Sequence, residues 1–300
     1  MKSRNINLIR DAACLLEDIN IQVSHDLMAM AYNERPSGLF IKKKLDEYKL
    51  ALDSIDSEQR IKVKGMLSSG ELVVIPAGFR CFTKGLLEDE LRIKQASLPF
   101  DSGFFSPDAI ANILENKNIA LKYPNEKLNN HQVCMKYENH LHDKHGKGIK
   151  FISSSYEEID KLVSSSNIDT INNYLDSTFG YYTLDVKNRY VLAHYNWHKL
   201  ATKNKSKGIY DKNLNVKNIS DTLNKRLKRM FELCDKAKRI IFVISNTQNY
   251  QYMMIDDEFT DLNDIERLTS VTKKLFGSKC IVTNFDEISN FDLLLKKVTF

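Results

Sequence analysis

The stretch that decides the fold is Glu71–Cys81, which reads "ELVVIPAGFRC". Its first half is a short apolar run rich in β-branched residues, a pattern typical of a buried strand. Pro76 and Gly78 end the run and predict a turn. Cys81 follows this turn and precedes a segment with helical character. The sequence therefore predicts a thiol just beyond the carboxyl end of a strand.

Predicted strands and helices alternate downstream of this stretch. Strands are indicated by "GIKFISSS", "RIIFVIS" and "KCIVTNF", and helices by "SPDAIANILENK", "SDTLNKRLKRMFELCDKAK" and "LNDIERLTSVTKKLFG". Ser106 is a good N-cap, Pro107 suits the first helical position, and Gly277 marks a helix end. Strand–helix–strand order implies right-handed crossovers and a parallel sheet. We therefore expect an α/β fold with a Rossmann-like three-layer sheet.

Two further features complete the predicted architecture. The segment "FGYYTLDVKNRYVLAHYNW" predicts an inserted β-hairpin with its turn at Asp185–Asn188. Residues 1–66 carry apolar side chains at helical spacing, so they are interpreted as an N-terminal helical appendage, with the α/β domain over residues 67–300. The last eight residues, "LLLKKVTF", fit either a strand or a helix.

Composition excludes several classes of protein. The chain has 300 residues, of which 42% are hydrophobic and 28% charged, as in ordinary globular domains. Its 44 basic residues are balanced by 39 acidic ones, so no nucleic-acid-binding face is expected. No apolar run approaches the roughly 20 residues of a membrane span. Five cysteines without CxxC spacing favour a reducing cytoplasm. Nucleotide-binding motifs are missing, and no cofactor is expected.

Cys81 is the first candidate for chemistry. A thiol at a helix N-terminus feels the positive end of the helix dipole, which favours the thiolate. Arg80 and Lys84 would add positive charge, and backbone N–H groups of the turn could stabilise an oxyanion. The alternative is a structural role, since free cysteines usually behave as small buried hydrophobic residues.

His194 is the second candidate. It lies at the end of the second hairpin strand, and alternation places His194, Asn196 and His198 on one face, next to Trp197. A cysteine and a histidine form the nucleophile–base pair of acyl transfer, and an Asn or Asp orients the base. The alternative is a core histidine whose ring nitrogens are satisfied.

Asp101 is the third candidate, within the aromatic stretch "SLPFDSGFF" of residues 97–105. A carboxylate among aromatic rings is costly unless it is paired. His194, Arg92 and Arg226 are the predicted partners. The alternative is an Asx-type turn in which Asp101 accepts from local N–H groups.

Residues 131–145, "HQVCMKYENHLHDKH", contain side chains of the zinc-ligand type. Their spacing matches no zinc motif, and the polar composition predicts a flexible, solvated loop. We therefore expect no metal site, although a metal at this cluster stays a minor alternative. Cys14, Cys234 and Cys280 fall on apolar patterns and are predicted to lie in the core.

These segments resemble a bacterial family of papain-like cysteine peptidases, the domain of unknown function 1796. The similarity covers residues 71–285 and rests on "VVIPAGFRC", "SLPFDSGF", "VLAHYNWH", "NKRLKRM" and "RIIFVIS". It implies that Cys81 is the nucleophile, His194 the base and Asp101 an orienting group. The turn before Cys81 departs from the family's Leu-Gly-Ser-Asn-Cys, and Ser102 replaces an aromatic residue that is often Trp.

The main hypothesis is a cysteine-dependent hydrolase or acyltransferase that acts on a small-molecule, peptide or glycan substrate. Its predicted substrate-contacting residues are Arg80, Ser102, Trp197, His198, Arg226 and Arg229. The alternative is a transferase or sugar-binding component of bacterial surface-polysaccharide synthesis, which the resemblance also implies. In that case Cys81 is structural and the two arginines of the basic helix bind donor phosphates. A third hypothesis is an interaction module built on the N-terminal helices.

Overall fold

The computed structural model describes residues 3–79, 81–101, 103–121, 135–153, 183–185, 188–192, 212–244 and 250–298. The chain separates into two compact units, residues 1–66 and residues 67–298. Each unit is described by itself.

The first unit is helical, as its apolar spacing predicts. It contains α1 (Ser3–Leu16), α2 (Ile21–Glu34) and α3 (Leu39–Ser68). The Asn20 side chain caps α2 by accepting from the Val23 N–H at 3.1 Å. Its small core is formed by Ile6, Ala13, Met28, Ala31, Ile41 and Tyr48.

The second unit contains helices and strands in alternation. The strands are β1 (Leu72–Pro76), β2 (Phe104–Phe105), β3 (Met135–Asp143), β4 (Gly146–Ser153), β5 (Thr183–Asp185), β6 (Tyr190–Leu192), β7 (Arg239–Ile244), β8 (Tyr252–Ile255), β9 (Glu258–Asp261) and β10 (Cys280–Asn284). The helices are α4 (Phe82–Asp89), α5 (Pro107–Asn116), α6 (Lys212–Lys236), α7 (Glu266–Phe276) and α8 (Phe291–Val298). Short 3-10 turns occupy Gly277–Lys279 and Phe285–Ile288.

A parallel sheet forms the centre of this unit, in the strand order β1-β7-β10. Leu72 pairs with Arg239 and Cys280 with Ile240. The central strand β7 is buried from Ile240 onward, which explains its continuous apolar sequence. The α/β class and the parallel pairing of these strands are confirmed, and their carboxyl ends meet at one edge.

The predicted hairpin is confirmed over its described residues. β5 and β6 pair antiparallel, with Leu184 opposite Val191, and β2 joins β6 through Phe104 and Val191. Alternate side chains enter different cores. Tyr190 and Leu192 pack with the parallel sheet, whereas Val191 and Leu184 pack with the four-stranded sheet described next.

The third sheet has the order β3-β4-β8-β9 and corrects one prediction. His140 and His142 lie on β3 and His145 in the turn to β4, so this segment is not a flexible loop. β3 is an edge strand, and the apolar alternation begun by Met135 and Tyr137 is interrupted at the irregularity between Asn139 and Leu141. The His145 ring packs on Phe259, with 4.9 Å between centroids. His131 and Cys134 lie outside the described residues.

No group of three or more metal-ligating side chains occurs within the described ranges. None of the helices in the described part of the chain combines the length and the apolar character needed to cross a bilayer.

Helix ends in the second unit follow the predicted signals. The Ser106 hydroxyl accepts from the Ala109 N–H at 3.1 Å, with Pro107 as the first residue of α5. Gly277 ends α7 with φ of +71°, a conformation that favours glycine. The carboxyl-terminal segment is helical from Phe291 to Val298, so a strand there is wrong.

Candidate functional site

Cys81 lies at the carboxyl end of β1, directly before α4. The strand pairing continues past Pro76, because the Ala77 N–H donates to the Val243 carbonyl at 2.8 Å. Two residues on, Phe79 forms an antiparallel bridge with Phe104. Cys81 then occupies the N-cap position of α4, where its side chain makes no capping hydrogen bond and is exposed. The thiol therefore lies where the sequence places it, and its catalytic role stays a prediction.

Asp101 is buried beside this helix, with 5% of its surface exposed. Its Oδ2 accepts from the Lys84 Nζ at 3.0 Å and from the Leu98 N–H at 2.9 Å. Lys84 is three residues after Cys81, so both lie on the same side of the first turn of α4. The ion pair thus holds the 98–101 loop against the helix that begins at the thiol.

Asp101 has a partner that the sequence did not predict, and one of the three predicted partners, His194, lies outside the described residues. Lys84 forms the ion pair, and the positive charge of Arg226 also attracts the carboxylate. Arg92 is exposed and adopts a left-handed backbone conformation, with φ of 50°. The alternative of a local turn is partly realised, since the Leu98 N–H is a local donor.

The electrostatics of Asp101 are set mainly by its burial. Burial raises the pKa of the Asp101 carboxyl above its usual value, against the opposing effects of the Leu98 hydrogen bond, Lys84 and Arg226. Its second oxygen, Oδ1, is buried and has no hydrogen-bond partner among the residues that the structure describes. A buried acceptor left without a donor costs about 1–3 kcal/mol. Oδ1 therefore marks a place where a donor is needed.

Three residues that pair side by side, Phe79, Phe104 and Val191, form a row close in sequence to the three candidate positions. Phe104 is bridged to Phe79 on one side and pairs with Val191 on the other, and both pairings are antiparallel. The chain after Phe79, the chain before Phe104 and the chain after Val191 consequently leave the row in the same direction. Cys81 lies two residues beyond the row, and Asp101 lies three residues from it along the chain.

Position 194 follows Val191 by three residues and lies outside the described residues. The same holds for the other predicted residues of that segment and of the two turns: Asn196, Trp197, His198, Arg80 and Ser102.

Aromatic packing holds this row in place. The rings of Phe79 and Phe104 meet edge to face with 4.9 Å between centroids, and Phe104 meets Phe151 at the same distance. At Gly103 an added Cβ would lie 2.3 Å from the Phe105 ring, so the loop after Asp101 requires glycine there. The "SLPFDSGFF" stretch is therefore a packed wall of the site rather than an open loop.

The two arginines predicted to contact substrate lie on α6, beside the same loop. Arg229 donates to the Ser97 carbonyl at 3.2 Å, and the charge of Arg226 acts on Asp101. Sequence reasoning missed that Lys84 is the ion-pair partner of Asp101. The spacing of Lys84 from Cys81 predicts only that the lysine lies in the first turn of α4, and no sequence signal identifies Asp101 as its partner.

The fold and the site together define an α/β protein with an exposed cysteine at the carboxyl end of a parallel strand. No protein-family model, no curated protein and no solved structure matches the chain at a significant level.

Proposed function

We propose that the protein is a cysteine-dependent hydrolase or acyltransferase, as its resemblance to papain-like cysteine peptidases also implies. The row Phe79–Phe104–Val191 is the observation that carries this proposal. At this row, the three segments that lead to Cys81, Asp101 and position 194 leave in the same direction. An exposed thiol at the start of a helix meets the first requirement of a nucleophile.

In the proposed reaction, the Cys81 Sγ attacks the carbonyl carbon of the substrate while His194 accepts the thiol proton. The oxyanion of the tetrahedral intermediate accepts hydrogen bonds from backbone N–H groups in the first turn of α4, which lack partners within the helix. The leaving group takes the proton from His194, and a thioester remains on Cys81. Water or an acceptor nucleophile then cleaves the thioester and regenerates the thiol.

Asp101 is proposed to orient His194 through its unpaired oxygen. Residues opposite each other in an antiparallel pair have Cα atoms about 5 Å apart. Three residues of extended chain span at most about 10 Å. His194 can therefore reach Asp101 from Val191, and a ring N–H would supply the donor that Oδ1 needs. Lys84 holds the other oxygen. Asn196 is the alternative orienting group.

Phe82 bears on the kind of substrate. It directly follows Cys81 and is 47% exposed. An exposed aromatic ring next to the nucleophile favours a peptide, glycan ester or small molecule with an apolar group near the reacting carbonyl. Arg80, Ser102, Trp197, His198, Arg226 and Arg229 are retained as proposed substrate contacts.

We also propose that the parallel sheet is the middle layer of a Rossmann-like three-layer arrangement. Its support is that β1 is followed by α4 and β7 by α7 and β10, with α4 packed on β1 and α7 on β10. Ligands of such folds bind beyond the carboxyl ends of the strands, where Cys81 lies.

Acyl transfer from p-nitrophenyl acetate tests the proposed function. We expect release of p-nitrophenolate together with one acetyl group on the Cys81 peptide, identified by mass spectrometry. Cys81→Ala should abolish both signals. Cys14→Ala is the matched control, because Cys14 is a partly exposed thiol in the other unit.

Unchanged release of p-nitrophenolate by Cys81→Ala would contradict the proposed nucleophile. Acetylation of Cys14 as fast as that of Cys81 would also contradict it, because the site would then add nothing to the reactivity of a thiol. Either result leaves the transferase hypothesis with a structural Cys81.

A further inference from the structure

Exposed apolar side chains are distributed unevenly between the two units. Twelve large hydrophobic side chains are exposed among the described residues, and ten of them lie in the first unit. They are Leu8, Leu15, Ile19, Val23, Met30, Leu39, Phe40, Leu50, Ile55 and Ile61. Isolated exposed residues of this kind need no explanation, so the informative ones are those that share one face of a helix.

The residues with the most regular spacing lie on α3. Leu39, Leu50 and Ile61 are 84%, 70% and 71% exposed, and each follows the previous one by eleven residues. Eleven residues complete three helical turns to within about 20°, so the three side chains form one straight stripe. Ile41 is half a turn out of phase with Leu50 and is buried in the core of the unit. Helix α3 therefore carries apolar side chains on two opposite faces, one inside and one outside, and the charged Lys43 also lies on the outer face.

We propose that this outer stripe binds the same stripe of a second copy of the chain, with the two α3 helices antiparallel. Leu50 lies midway between Leu39 and Ile61, so a twofold axis at Leu50 brings Leu39 of each copy opposite Ile61 of the other. A surface that is self-complementary in this way is what a twofold dimer requires. The pairing buries the three exposed side chains of both helices together.

Charges beside the stripe support the antiparallel direction. Lys43 lies seven residues before Leu50 and Glu58 eight residues after it, and both are exposed. Lys43 also pairs with Glu47 of its own helix at 3.8 Å, an exposed contact that a second partner can share. The antiparallel arrangement places Lys43 of each copy level with Glu58 of the other and forms two ion pairs. A parallel arrangement would instead place Lys43 opposite Lys43.

The same arrangement contains one unfavourable contact. Asp46 of each copy comes level with Asp53 of the other, on the opposite flank of the stripe. This repulsion between like charges lowers the affinity and is screened by salt. The dimer is therefore concentration-dependent.

Sedimentation velocity on the full chain tests the dimer across a wide range of concentrations. The wild type is expected to shift from monomer to dimer as the concentration rises. Leu50→Glu places two carboxylates on the twofold axis and is expected to remain monomeric. Leu15→Glu is the matched control, because Leu15 is 79% exposed on α1, outside the stripe, and it should dimerise like the wild type. Circular dichroism verifies that both variants are folded.

A charge swap tests the register of the helices. Lys43→Glu should weaken the dimer about 10-fold, and adding Glu58→Lys in the same chain should restore it. A wild type that is monomeric at every concentration would overturn the proposal. So would dimerisation of Leu50→Glu, or loss of the dimer in Leu15→Glu. Failure of the charge swap to restore binding would overturn the antiparallel register. None of these outcomes depends on the reactivity of Cys81.

Discussion

The two ends of the parallel sheet hold cysteines in opposite environments. Cys81 follows the carboxyl end of β1 and is exposed, whereas Cys280 begins β10 at the amino end and is buried. Cys234, near the carboxyl terminus of α6, is buried as well. Of these three thiols, the one after the carboxyl end of the sheet is exposed to solvent and the other two are buried.

The amino end is closed by a lysine. Lys279 donates to the carbonyls of Cys234 at 2.7 Å and Ala237 at 3.0 Å, so it satisfies the carboxyl terminus of α6. Burial raises the pKa values of the Cys234 and Cys280 thiols to about 12 each. The carboxyl edge of this sheet is thus followed by an exposed thiol, whereas the thiols near the amino edge are packed in the core.

Thiol labelling gives the largest contrast between the two ends. At pH 8 a thiol with a pKa of about 12 is ionised in about one molecule in 10⁴, and burial also blocks access. We expect Cys81 to react with iodoacetamide at least about 10³-fold faster than Cys234 or Cys280. Peptide mapping by mass spectrometry at timed intervals measures the three rates. Labelling of Cys280 at the rate of Cys81 would show that the thiol at the amino end of β10 is not buried.

The catalytic role of the carboxyl end is tested by His194→Ala. Removal of a general base typically lowers a rate about 10²–10⁴-fold, so acetylation of Cys81 by p-nitrophenyl acetate should fall by that factor. Stopped-flow absorbance of p-nitrophenolate measures the rate, and His142→Ala on the edge strand β3 is the control. Equal rates in the two variants would exclude His194 as the base.

At the amino end, Lys279→Met should destabilise the protein without altering reactivity. The variant keeps the apolar stem of the side chain but leaves helix carbonyls without their charged donor, which costs about 1–2 kcal/mol. Urea unfolding followed by circular dichroism measures the loss. Lys228→Met, which removes an exposed ion pair with Glu232, is expected to change little. If Lys228→Met lowered the free energy of unfolding as much as Lys279→Met, the proposed stabilisation of the α6 carboxyl terminus by Lys279 would be wrong.

The smallest expected effect is a dependence of the folding stability on pH, caused by the carboxyl group of Asp101. Its pKa is raised by burial, so the folded state holds the proton at pH values where the unfolded state has released it. Stability therefore falls as pH rises from about 4, the unfolded value, through the raised folded pKa. Asp101→Asn lacks this ionisation and should show a flatter profile there. Thermal unfolding at a series of pH values compares the two, and parallel profiles would be inconsistent with the raised pKa.

The sequence predicted those parts of the fold that follow from local rules. The central strands are apolar and β-branched, so β1, β7 and β10 could be recognised without knowledge of their partners. The Ser106-Pro107 start of α5 and the Gly277 end of α7 follow from capping chemistry. The position of Cys81 after a strand also followed from the sequence, but its exposure did not, since a buried structural cysteine was the open alternative.

The remaining features depend on pairing between distant segments. β3 and β9 are edge strands with largely polar sequences, so their alternation carries little signal. The turn between β8 and β9 places Asp256 in the left-handed region, with φ of 54°, and contains no glycine that would have marked it. The Lys84–Asp101 ion pair likewise depends on how a loop folds back on a helix, which residue spacing does not encode.

The pairing of β1 with β7 also has a consequence for the synthesis of the chain. Leu72 pairs with Arg239, which is synthesised about 170 residues later. At typical translation rates this delay is roughly 10 to 30 s. During this interval one apolar strand and the thiol that follows it have no sheet to join. The nascent chain is therefore vulnerable to aggregation and oxidation at this segment, and a chaperone that shields residues 72–81 should raise the yield of folded protein.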